Sequence, residues 1–109
     1  MGNVIELTEK DFDYQVLQSD VPVLVDFWSP SCGPCRLIAP LLDSLAVKNG
    51  DTAKIAKINV FEHVSVAARY GVDMLPTILF FRNGQVVERM IGAVDQTRMQ
   101  TALDDAAGN

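Results

Sequence analysis

Apolar runs and helix-spaced apolar residues alternate along this chain, and the alternation sets the expected architecture. Residues 3–7, NVIEL, form a short strand candidate. Thr8 then opens a helix: Asp11 provides a short form of the capping box, and Phe12, Val16 and Leu17 supply an apolar stripe. Residues 21–28, VPVLVDFW, are almost continuously apolar and β-branched, the pattern of a central strand covered on both faces. The longest helix is expected over residues 32–48, carrying Ile38, Leu41, Leu42 and Leu45 and closed by Asn49-Gly50. Pro40 lies inside it and should kink it, because proline has no N–H to donate and crowds the preceding turn.

Residues 53–60, AKIAKINV, predict a second central strand, and residues 63–71, HVSVAARYG, a short helix stopped by Gly71. The runs PTILFF and QVVERMIG flank Asn83-Gly84, a strong hairpin signal. Asp95 caps a last amphipathic helix with Met99 and Leu103 inward, fraying through DDAAGN at residues 104–109. The order is β-α-β-α-β-α-β-β-α, an α/β chain with a mixed sheet and helices on both faces. Strands joined through helices are expected to run parallel by right-handed crossovers, and the final hairpin must be antiparallel.

Length and composition narrow the function. The 109 residues make one domain, residues 1–109, with 49% hydrophobic and 21% charged residues, enough for a core without staples. A net charge of −5, with the charges interspersed, argues against a nucleic-acid partner, which needs clustered Lys and Arg. No apolar run has the length of a membrane span, and MGNVIELTEKDF lacks the basic-then-apolar order of a secretory signal. A cytoplasmic monomer is the expectation, and in the cytosol a lone disulfide is more often catalytic than structural.

Both cysteines fall in SPSCGPCRLIAP, residues 29–40, two residues apart. A structural zinc site needs four ligands, and the chain offers Cys32, Cys35 and only His63, so no metal is expected. A structural disulfide closing so short a loop would restrict the unfolded chain little. Redox chemistry is left, and the position supplies a mechanism. Cys32 falls where a strand ends and a helix begins, so free backbone N–H groups and the positive helix end favour its thiolate. Cys35, in the first turn, is expected to point inward. Cys32 would attack a partner's disulfide and Cys35 would resolve the mixed disulfide. Gly33 would let a substrate backbone come close, and Pro34 pre-sets φ at the helix start.

VLVDFW, CGPC, Pro40, MLPT, FFRNG and IGA together resemble the thioredoxin family in order and spacing, over nearly the whole chain. That family is the reference case for a C-x-x-C pair read as redox-active. The resemblance implies a thioredoxin fold, a five-stranded mixed sheet flanked by four helices. It also implies a protein disulfide reductase with no cofactor beyond the Cys32–Cys35 disulfide. Implied partners are a thioredoxin reductase and substrates of the ribonucleotide reductase, peroxiredoxin and methionine sulfoxide reductase type. Pro76 should be cis beside the cysteines, with Leu75 pairing with a bound peptide as an added strand and Gly92 forming the opposite wall. Val60, Met74 and Ile91 join this substrate groove on the same grounds.

Asp26 and Lys57 interrupt two apolar strands, so each is expected to face an interior, where burial raises a carboxylate's pKa and lowers an ammonium's. The residues alone leave a buried ion pair and a catalytic role equally open. The resemblance makes Asp26 the proton acceptor and donor for Cys35, with Lys57 tuning it. Trp28 should pack beneath the active loop as a support. Arg36 reads as a solvated charge and His63 as a surface residue without a role. Phe61 and Met74 leave loop packing and partner contact both open. Ser31 departs from the family, which usually carries Trp there. Its hydroxyl is expected to donate to the Cys32 thiolate, while generic partner binding should weaken and Phe61 and Met74 should supply the missing apolar contact. Two further functions stay open, a disulfide oxidant or isomerase of an oxidising compartment and a thioredoxin-fold binding module.

Overall fold

The hydrocarbon run at residues 23–28 forms the strand on which the rest of the molecule packs. In the computed structural model, which describes residues 2–108, the strands are β1 (Ile5–Leu7), β2 (Val23–Trp28), β3 (Lys54–Asn59), β4 (Thr77–Arg82) and β5 (Gln85–Ile91). A π-helical turn, Asp13–Leu17, precedes β2, and helices α1 (Gly33–Asn49), α2 (Val64–Arg69) and α3 (Gln96–Gly108) complete the chain. The sheet order is β1-β3-β2-β4-β5, with β2 in the middle.

Helix starts follow the caps read from the sequence. Thr8 N–H donates to Asp11 Oδ1 at 2.7 Å and Asp11 N–H to Thr8 Oγ1 at 3.3 Å, a closed capping box. Past it the helix widens, with Gln18 N–H reaching back five residues to Asp13 O at 3.0 Å. Asp95 Oδ1 accepts from Arg98 N–H at 2.8 Å and caps α3. That helix does not fray where expected: it runs to Gly108 because Ala102, Leu103 and Ala106 are all buried. Pro40 lies within α1, as expected. Asn83 and Gly84 close the β4–β5 hairpin, both at positive φ (53° and 79°).

One expectation of topology fails. β1, β3 and β2 are mutually parallel, but β4 runs antiparallel to β2 although α2 connects it to β3. The short helix α2 does not carry the chain back along the sheet. At 1.5 Å per residue the six residues of α2 advance about 9 Å, whereas a six-residue strand spans about 20 Å. The connection therefore stays at the end where β3 stops, and β4 starts there: Thr77 pairs with Phe27, near the last residue of β2.

The two faces of the sheet are filled differently. Leu24, Ile55, Ile78 and Phe80 meet α1 and α3 through Ile38, Leu42, Leu45, Met99 and Leu103. Val23, Val25, Phe27, Leu79 and Phe81 meet Phe12, Val16 and Val66 on the other side. Alternate residues of β2 thus serve opposite layers, as the pleat requires.

Candidate functional site

The site is assembled at one edge of the sheet. β2 ends at Trp28, and a tight loop follows in which Cys32 N–H donates to Ser29 O at 3.1 Å. Cys32 is the N-cap of α1, in extended conformation, and its sulfur accepts the Cys35 N–H at 3.2 Å. A thiol sulfur therefore stands where Ser or Asp would ordinarily satisfy the free N–H groups of a first helical turn. Cys32 and Cys35 are joined as a disulfide with Cα atoms 5.4 Å apart. Cys32 is half-exposed, while Cys35 is buried at 5% exposure, the inward placement its position in the first turn predicts. Pro34 lies at the helix start, and the space a Cβ would enter at Gly33 is open, so no contact inside the chain requires that glycine.

Behind the disulfide a cleft of about 270 Å³ reaches the interior. Asp26, Trp28, Cys35 and Lys57 line it, together with Ser29, Pro30, Arg36, Ala39 and Asp43. Asp26 is 2% exposed, and its Oδ1 finds no hydrogen-bond partner. Burial pushes its carboxyl up to about 7, with the Lys57 ammonium pulling the other way.

Lys57 is placed differently from the expectation of two interior charges. Asp26 and Lys57 are register partners on β2 and β3, yet among the described residues no ion pair closes between them. Lys57 is also the register partner of Glu6 on the three-residue edge strand β1, and its Nζ lies 3.9 Å from Glu6 Oε1. The same ammonium stands 5.4 Å from the centre of the Trp28 ring. Its long stem covers the strand while its charge reaches the open side. Asp26 is thus a buried carboxylate influenced by a cation it does not touch.

Leu75-Pro76 is a cis peptide, and Pro76 O accepts from Gly92 N–H at 2.9 Å, which ties β5 to the start of β4. Gly92 takes φ 87°, a conformation that favours glycine. Leu75 and Val60 are half-buried against the aromatic layer, and Val60 N–H donates to Trp28 O at 2.9 Å. Met74 and Ile91 are exposed.

Ser31 is exposed, and its hydroxyl is in hydrogen-bond contact with that of Ser29 at 3.3 Å instead of facing the Cys32 sulfur. The turn from Ser29 to Cys32 sets those two hydroxyls side by side. Arg36 is not simply solvated: its guanidinium donates to Pro30 O at 3.3 Å and braces the loop. His63, half-buried, accepts Glu9 N–H on Nδ1 at 3.3 Å and links the β1 loop to α2.

The sequence reading gave no role to Ala39 and Asp43 on the helix side of the cleft. Cys35, Ala39, Leu42 and Asp43 are spaced as one helical face, a signal that was present in the sequence. Glu6 as the partner of Lys57 had no such signal, because it depends on the register of β1 against β3.

A cysteine pair capping a helix behind a central strand, with a buried carboxylate at its back, defines a thiol–disulfide oxidoreductase. Residues 3–105 match the Thioredoxin family model. The chain is 45% identical to thioredoxin 1 of Synechococcus elongatus, covering 95% of this chain and 97% of that protein. It is 43% identical, with the same coverage, to the thioredoxin of Haemophilus influenzae, and 45% identical to the chloroplastic thioredoxin M5 of Oryza sativa, 60% of whose length it covers. The chain belongs to the thioredoxin family and is a thiol–disulfide redox carrier. Among the described residues no helix is long and apolar enough to cross a membrane.

Proposed function

We propose that this protein reduces disulfides of other proteins, with Cys32 as the attacking sulfur and Cys35 as the resolving one. The observation that carries the assignment is the asymmetry of the pair. Cys32 is reachable and caps the helix, where the N–H of Cys35 points at its sulfur, and Cys35 is buried beside the cleft. In the dithiol form the Cys32 thiolate attacks one sulfur of the partner's disulfide, an S–S bond forms, and the other partner sulfur leaves as thiolate. Cys35 then gives up its proton and attacks Cys32, and the second partner sulfur leaves. Two electrons have passed to the partner, and the Cys32–Cys35 disulfide seen here remains.

Asp26 takes the Cys35 proton in that second step. A carboxyl held near 7 accepts and returns a proton at neutral pH, and it lines the same cleft as Cys35. A cleft of this size admits water, which completes the path from the carboxylate to solvent. Lys57 lowers the Asp26 pKa from a distance and keeps it in this range. Trp28, Pro34 and Pro76 hold the loop and Gly33 leaves room for a substrate backbone, while Ser31, Val60, Met74, Leu75, Ile91 and Gly92 meet the substrate. Leu75 lies just outside β4, and its main-chain groups make no hydrogen bond among the described residues, which favours an added partner strand there.

The protein works as a cytoplasmic monomer, recharged by a thioredoxin reductase, and serves enzymes of the ribonucleotide reductase, peroxiredoxin and methionine sulfoxide reductase type. Cys35→Ser tests the assignment: it should hold partners as mixed disulfides on Cys32, identifiable by mass spectrometry. If Cys32→Ser were the variant that trapped partners on Cys35, the roles would be exchanged.

A further inference from the structure

Three of the large exposed apolar side chains lie at one end of the sheet. Trp28 pairs with Asn59, Phe27 with Thr77, and Thr77 with Ile91, so β2, β3 and β5 end, and β4 begins, at one edge of the sheet. The loops leaving that end include the turn to Cys32 and its neighbours. They carry Phe61 at 66% exposure, Met74 at 60% and Ile91 at 48%. On the chain's approach to Cys32 stand only Pro30 and the small Ser31, whose hydroxyl is engaged with Ser29. At this end the large exposed apolar side chains of the loops come from those flanking β3, β4 and β5, and the one on α1 near the cysteines is Leu37.

Phe61 and Met74 are held out by ordered backbone. Phe61 N–H donates to Asn59 Oδ1 at 2.9 Å, and Met74 O accepts from the Thr77 hydroxyl at 2.5 Å. Each is followed or preceded by an exposed carboxylate, Glu62 and Asp73, and neither carboxylate has an ion-pair partner among the described residues. The chain as a whole carries −5, which adds to the local field.

We propose that Phe61-Glu62 and Asp73-Met74 form a selecting lip for extended, disulfide-bearing protein segments with a large apolar residue next to a basic one beside the cysteine. The inference rests on the reductase reading and adds its substrate class. An apolar side chain of the substrate covers Phe61 and Met74 while its neighbour's positive charge meets Glu62 or Asp73. Thioether and ring together suit apolar side chains of varied shape.

The test uses the intact, pre-reduced protein in single-turnover reactions followed by alkylation and mass spectrometry. Two synthetic cystine peptides are compared, one with Phe-Lys beside the reactive cysteine and one with Ser-Glu. The Phe-Lys peptide should react about tenfold faster at low salt, a difference that narrows as salt screens the charges. Phe61→Ser/Met74→Ser should cut the ratio to about twofold, and Phe61→Leu/Met74→Leu should restore most of it. Glu62→Gln/Asp73→Asn should abolish its salt dependence while the apolar part persists. Because each ratio is taken within one protein, a general loss of activity leaves it unchanged. A ratio near one in the unaltered protein, or one that survives both the serine and the amide variants, overturns the proposal. Hydroxyethyl disulfide, which has no side chain for the lip, is the control for the chemistry: if the unaltered protein did not reduce it either, the reductase reading itself would fail.

Discussion

The two faces of β2 are made by one strand and do opposite things. Val23, Val25 and Phe27 turn towards a layer closed by rings, with Phe12 and Phe81 5.9 Å apart and Tyr70 and Phe81 5.4 Å apart, both edge to face. Leu24, Asp26 and Trp28 turn the other way, and there the packing opens into the cleft that holds Cys35. One face is hydrocarbon and contributes stability. The other also buries hydrocarbon, Leu24 against α1 and α3, but it carries a carboxylate with an unpaired buried oxygen, which costs stability and supplies a proton site. A reactive centre of this kind needs a firm wall behind it, and in this fold the wall is the same strand seen from its reverse.

Three substitutions set this division against experiment. On the closed face, Phe12→Ala removes a ring with no exposure and should destabilise the protein by about 3–5 kcal/mol in urea unfolding. The disulfide exchange rate of the folded fraction should stay unchanged. A large fall in that rate would mean the faces are coupled, and the comparison would break.

On the open face, Asp26→Asn should act with the opposite sign. The native carboxyl titrates near 7 against an ordinary 3.8, so the folded state holds the proton more tightly than the unfolded chain. Between those two pH values the unfolded state binds fewer protons, and stability falls as pH rises. Above pH 7 the full cost is present, on the order of 4 kcal/mol at 1.36 kcal/mol per pKa unit. The amide variant escapes it, so its advantage should be large at pH 8 and small at pH 4. It should also slow the step in which Cys35 displaces the partner. A stability difference that did not vary with pH would show that Asp26 is not raised.

The smallest effect concerns the entry to the closed face. Thr8→Ala removes one half of the box that starts the helix bearing Phe12, at a cost of about 1 kcal/mol, with exchange untouched. Chemical denaturation resolves a change of that size, and its absence would make the cap dispensable.

The fold was largely legible. Periodicity located all nine elements in order, and the Asn83-Gly84 turn, the Thr8 box and the Asp95 cap are local chemistry that a sequence displays directly. The direction of β4 was not legible, because residues 60–76 are long enough to run back along the sheet or to stay at one end, and only the packed connection decides. At the site the cysteine pair spoke for itself, and the resemblance added Pro76, Leu75 and Gly92. Lys57 was read as interior from its neighbours in β3, but the shortness of β1 leaves its end open to Glu6.

The sequence by itself determined which residues are apolar, where helices start and turns close, and that two thiols stand at a strand-to-helix junction. These are properties of neighbours a few residues apart, set by local sterics, capping and periodicity. Only the tertiary structure decided that Asp26 closes no ion pair with Lys57 and feels it from a distance, that Ser31 turns to Ser29, and that Phe61 and Met74 leave the same end of the sheet as Cys32. Those outcomes depend on strand register and on which loops leave the same end of the sheet, and distance along the chain carries no information about either.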